Sequence, residues 1–131
     1  MNSSQFSDVG LPCTSGAAVT AGRFGTIGGT TSRTVVHTGT AAEPHGIIGD
    51  DASDSGTCVP LHTSGRGYLT VNGNSVNIAP GDKLGPGTAT GIGVKVTADK
   101  KAFGAIALEA ASTDGAVIEV LICGLGFTSV A

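Results

Sequence analysis

The chain has 131 residues, 40% hydrophobic but only 4% aromatic, with 22 glycines, no tryptophan and a formal charge of −3. Glycine costs about 1 kcal/mol relative to alanine in a helix interior, so this composition excludes a fold of long helices. The mild acidity without any basic cluster excludes a phosphate-neutralising nucleic-acid surface, and no apolar run approaches the roughly 20 residues that span a bilayer.

With so few aromatics, Ala, Val and Ile must fill the interior, and a thin core gains from contacts between subunits. A small single-domain all-β barrel or sandwich built of hairpins, associating as a homo-oligomer, is therefore expected. The N-terminus has neither a basic n-region nor an apolar h-region, so the expected compartment is a cytoplasm.

In chain order, residues 1–15 read as an extended arm, polar except for Phe6, Val9 and Leu11, and the β domain is expected over 16–131. Gly22, Gly25 and Gly28 punctuate a strand pattern around Val19, Phe24 and Ile27. Nothing helical follows them, so they read as bends rather than as a nucleotide loop. The TVVHT segment, residues 34–38, is a strand, and Glu43-Pro44 breaks it. Gly67 to Val71 and Ser75 to Ile78 flank Asn72-Gly73-Asn74, which predicts a hairpin with a type I′ or related turn. The glycine-rich GPGTATGIG, residues 85–93, lacks the Lys-Ser/Thr pair of a phosphate loop and reads as a connector. Val94 and Val96 alternate with polar residues, and 98–101 then predicts a second hairpin turn. Phe103 to Leu108 (FGAIAL) is apolar almost throughout and predicts a strand covered on both faces, in the middle of a sheet. The Asp114-Gly115 turn leads into the β-branched AVIEVLI, residues 116–122.

One phrase occurs twice. Gly46 to Leu61, GIIGDDASDSGTCVPL, repeats the order of Gly104 to Leu121, GAIALEAASTDGAVIEVL, with a short indel. Two copies roughly sixty residues apart are too few for a solenoid and fit a domain holding two related hairpins, 46–61 and 104–121.

Sites for chemistry are scarce. Cys13, Cys58 and Cys123 lack C-x-x-C spacing and are expected as free, mostly buried thiols. His37, His45 and His62 form no ligand motif, and only tertiary folding would bring His45 to Asp50 and Asp51. Asp50, Asp51 and Asp54 fall in an exposed turn, without the burial that would push their pKa values apart for acid–base work. No G-x-S-x-G elbow is present. Neither catalytic residues, nor a cofactor, nor a metal is expected.

The turn Ala79-Pro80-Gly81-Asp82-Lys83-Leu84 and the closing phrase from Gly104 to Leu121 resemble the capsid cement, or head decoration, proteins of tailed bacteriophages. The likeness starts at Gly46 and leaves out the arm and residues 123–131. It implies a β-rich, non-enzymatic virion protein, made in the host cytoplasm and bound to the outside of an assembled shell. There it would hold neighbouring copies of the major capsid protein together, with a trimer favoured over a dimer at threefold positions. A lattice turns weak single contacts into firm attachment through effective concentration. Phe6 and Leu11 in the arm, and Leu125, Phe127 and Val130 in the tail, lack strand alternation and are the candidate capsid or subunit contacts. Burying one such side chain contributes about 1.5 to 3 kcal/mol.

The TADKKA segment, residues 97–102, resembles the D-K-A turn of lipoyl carrier domains. That likeness implies the alternative, a lipoyl- or biotinyl-like carrier modified on Lys100 or Lys101 in the 98–101 turn.

Overall fold

The computed structural model describes residues 10–28, 32–40, 42–74, 76–98 and 101–127, at 125 and 127 through their backbone only. Among these residues every regular element is a strand. The strands β1 (Leu11–Ser15), β2 (Phe24–Ile27), β3 (Thr34–His37), β4 (Gly46–Ile48) and β5 (Cys58–His62) close into a barrel in the order β1-β3-β2-β4-β5. A second barrel, in the order β10-β6-β8-β7-β9, is made by β6 (Gly65–Asn72), β7 (Lys83–Pro86), β8 (Gly93–Lys95), β9 (Ala102–Ala107) and β10 (Asp114–Phe127). The all-β barrel expected from the sequence is present, and the chain builds it twice.

The two barrels share one topology. β1 runs parallel to β3 and antiparallel to β5, as β6 does to β8 and β10. β2 lies antiparallel between β3 and β4, as β7 lies between β8 and β9. Isolated bridges repeat too: Val19 pairs with Ala52, and Ile78 with Ala111, each member 59 positions further along. The same shift carries Gly22 (φ 76°) onto Gly81 (φ 93°) and Gly56 (φ 89°) onto Gly115 (φ 84°). These left-handed positions tolerate glycine at no steric cost, so the chain keeps it at both. The two copies of the repeated phrase fall on β4–β5 and β9–β10, at equivalent places in the two barrels.

Two cores result, and they meet at a seam. The first barrel is filled by Cys13, Val19, Val35, Ile48, Val59 and Leu61. The second is built around Leu69, Val71, Leu84, Ala105, Ile118 and Val120, but its apolar cluster also contains Phe24 and Ile47 from the first barrel. Phe24 is completely buried. Space for its ring exists because the facing positions are glycines: a Cβ on Gly104 would lie 3.2 Å, and one on Gly93 3.4 Å, from Phe24 ring carbons. Backbone bonds fasten the same seam, from Phe24 N–H to the Gly91 carbonyl (2.9 Å) and from Thr70 N–H to the Gly22 carbonyl (2.7 Å).

β9 is buried at four of its six positions and lies between β7 and β10, as its apolar run predicts. Three local expectations are corrected. Residues 76–78 do not return along β6; instead Ile78 bridges Ala111, and Gly73 N–H donates to the Thr113 carbonyl at 2.9 Å. Gly73 serves close approach rather than a hairpin turn, since a Cβ there would sit 2.4 Å from the Ala111 carbonyl oxygen. Nor do β8 and β9 form a hairpin about 98–101. β7 stands between them, and β8 takes its other partner, β6, in parallel. Finally, the arm expected over 1–15 does not reach Ser15, because residues 11–15 form β1, with Cys13 and Ser15 buried beneath β5 and β3.

Candidate functional site

Strand alternation sorts β6 and β10 into two faces. Leu69, Val71, Ile118, Val120 and Ile122 point into the second barrel. Their neighbours in sequence point out, and several are large and apolar: Tyr68 and Val117 are each 60% exposed, Leu121 43%, and Leu108, just past β9, 41%. Register sets these groups side by side. Tyr68 stands opposite Glu119, Thr70 opposite Val117, Arg66 opposite Leu121, and Leu121 opposite Ile106 of β9. The outer face of β9–β10–β6 is thus an apolar sheet surface with a polar spine. Arg66 Nε lies 3.5 Å from Glu119 Oε2, and Glu119 N–H donates to Glu109 Oε1 at 2.7 Å. Exposed apolar area gathered on one face is what makes this surface the candidate site. Arg66 of this pair is well exposed and Glu119 only half-buried, so the pair adds little to stability.

This face runs into a cleft of about 380 Å³ at the seam between the barrels. Ile47, Ile48 and Ile122 contribute apolar walls, Gly22, Gly49 and Gly67 keep it open, and His62, Arg66 and Tyr68 stand at its polar rim. At the edge of the second barrel Lys83 Nζ lies 5.1 Å from the centre of the Phe103 ring, a cation–π contact, and Lys95 pairs with Asp82 at 3.4 Å.

The contact residues expected from the sequence are placed unevenly. Leu11 begins β1 opposite Leu61 and packs half-buried on the first core, so its side chain already has a place in the barrel. The backbone at 125 and 127 continues β10, where Phe127 pairs with Ala102 after a register shift between Ile122 and Gly126. Phe6 and Val130 lie outside the described residues. Tyr68, Val117, Leu121 and Leu108 were legible only as the out-of-phase half of strands already recognised.

The residues examined for chemistry stay apart. His45 accepts Ile27 N–H on Nδ1 at 2.9 Å, and Asp51 accepts Ala21 N–H at 2.7 Å, so each ties its segment to a different backbone position at or before β2. Among the described residues no three His, Cys, Asp or Glu side chains are gathered as a metal would need. The three cysteines are free, but only Cys13 is buried, whereas Cys58 and Cys123 face outward on β5 and β10. Burial pushes the Cys13 thiol up from its ordinary value, with Arg33 acting in the opposite direction. Lys101 is exposed on the β8–β9 connection, and Lys100 lies outside the described residues.

Neither a family model nor a curated protein matches this sequence. Among solved structures, the head fiber gp8.5 N base of bacteriophage phi29 is similar, with a TM-score of 0.69 and 19% sequence identity. The chain has the fold of a phage head-fiber base. The match takes in 88% of this chain and 93% of the other, and since neither barrel alone fills much more than half of the chain, the likeness runs through both.

Proposed function

We propose that this protein is a structural component of a phage head, bound to the outer surface of the capsid, where it holds neighbouring capsid subunits together. The fold shared with a head-fiber base across both barrels is the observation that carries this reading. The apolar outer face of β9–β10–β6 supports it, as a surface of Tyr68, Val117, Leu121 and Leu108 awaiting a partner. On this reading the partner is the major capsid protein, the protein acts without a cofactor or catalysis, and it resides in the virion. The assembly proposed is a homotrimer, in which three two-barrel chains would set six similar barrels round one axis. The test is mass spectrometry of proteins from density-purified heads. The chain should be recovered in a fixed ratio to the major capsid protein, and recovery only from the soluble lysate would refute the reading.

The face itself is checked by substitution. Tyr68→Ser together with Val117→Ser alters only exposed side chains, so the thermal midpoint should stay within a few degrees of the parent. Attachment to heads should weaken about tenfold or more, given roughly 1.5 to 3 kcal/mol for each apolar side chain buried on a partner. Unchanged attachment would remove this face from the proposal.

The arm is proposed as a second anchor, now bounded by β1. Removing residues 1–9 should leave melting nearly unchanged while lowering the fraction of protein that sediments with heads. Equal sedimentation of the two chains would show that Phe6 contributes nothing. The carrier alternative is the weaker reading, since 98–101 joins two strands that are separated by β7 and not paired with each other.

A further inference from the structure

All three histidines belong to the first barrel's half of the chain, and β6 to β10 contain none. Two of them hold backbone amides. Thr20 N–H donates to His37 Nε2 at 2.9 Å, and Ile27 N–H donates to His45 Nδ1 at 2.9 Å. A backbone amide only donates, so each bond requires an imidazole nitrogen with a free lone pair. Protonation turns that nitrogen into a second donor, and the bond is lost.

The two bonds lie on either side of Phe24. Thr20 precedes the turn that leads into β2, and Ile27 ends β2, so together they fix the strand that carries the buried ring of the seam. His37 also stands opposite Gly25 in the β2–β3 register, and His45 N–H donates to the Gly25 carbonyl at 2.9 Å. Arg23, at the entry to β2, is the charged group acting on His37. Around His45, β2 itself carries no charge, the exposed Glu43 lies on its own segment, and His62 enters from β5 opposite Ile47.

We propose that His37 is an acid-sensitive clasp on β2, whose protonation releases Thr20 and loosens the first barrel's hold on the second while the second barrel stays closed, with His45 the fixed contact at the far end of the strand. For His37 the environment has the required sign: burial first, then Arg23, hold its pKa below the ordinary 6.5. The unfolded chain therefore takes up that proton before the folded one. The stability this site contributes is complete above about pH 6.5, is lost as pH falls through that value, and levels off once the folded imidazole is protonated too.

Hydrogen exchange on the full chain at about pH 7.5 and about pH 5, corrected for intrinsic rates, provides the test. Amides across 20–28, and Thr70, whose N–H bonds Gly22 across the seam, should lose about tenfold protection in acid, the scale of one hydrogen bond, while the other amides of β6 and those of β10 keep theirs. His37→Gln places a neutral carbonyl acceptor near the lost nitrogen and should abolish the acid effect; His62→Gln should leave it intact. Equal loss of protection in both barrels, or the same loss in the Gln variant, would overturn the proposal. Should that variant fail to fold, the parent chain still decides, since unchanged protection over 20–28 in acid would be enough to reject it.

Discussion

Phe24→Ala should be the most damaging single core substitution in the chain, and it should weaken both barrels together. The ring is fully buried, and although its strand belongs to the first barrel it packs in the second barrel's core. Loss of a buried phenylalanine costs about 3 to 5 kcal/mol, and in a core with so few aromatics no neighbour is large enough to fill the space. A fall in the thermal midpoint of roughly 10 to 20 °C is expected. Exchange protection should drop in β6 and β8 as well as in β2. If loss is confined to residues 11–62, the second barrel does not depend on this ring and the shared core is wrong.

Gly91→Ala should come close to it. Gly91 has φ at 76°, and a Cβ there would lie 2.5 Å from the Phe24 carbonyl oxygen and 3.1 Å from its nitrogen. Left-handed strain costs about 1 to 2 kcal/mol, and a clash with backbone cannot be relieved by a rotamer change, so about 3 kcal/mol or more is expected in all. Gly115→Ala supplies the control. Its φ is 84°, but a Cβ there meets nothing within 4 Å, so it should cost only the strain. Denaturant unfolding of the two variants separates the effects. Equal midpoints would mean that the close approach at the seam contributes nothing.

The glycines also explain what was legible in the sequence and what was not. A run such as FGAIAL announces a strand covered on both faces, and β9 is one. The recurrence of the acidic-Ala-Ser-Asp-Gly phrase announced β4–β5 and β9–β10. The Asn72-Gly73 pair misled because a glycine needed for a left-handed turn and one needed to let two backbones touch are written with the same letter. Here the Ala111 carbonyl decides which it is. The polar stretch 98–101 misled because a hairpin and a crossover over one intervening strand need the same polar connection; the parallel β6–β8 pairing, which forces the crossover, leaves no local mark. Leu11 read as an arm anchor because Pro12 obscures the alternation of LPCTS, yet Cys13 and Ser15 are buried in phase with it. The outward face was half-legible: the pattern that put Leu69 and Ile118 inside necessarily put Tyr68 and Val117 outside, and register alone shows them to be neighbours.

The likeness to a head-fiber base and the exposed sheet face meet in one claim, that this protein seats on the outside of a phage head. The direct measurement is titration of the purified full chain onto heads that lack it, followed by sedimentation. The account predicts saturable uptake at a copy number fixed by the head, reduced by Tyr68→Ser with Val117→Ser. A chain that stays in the supernatant at every concentration, while remaining folded by its melting curve, would contradict it.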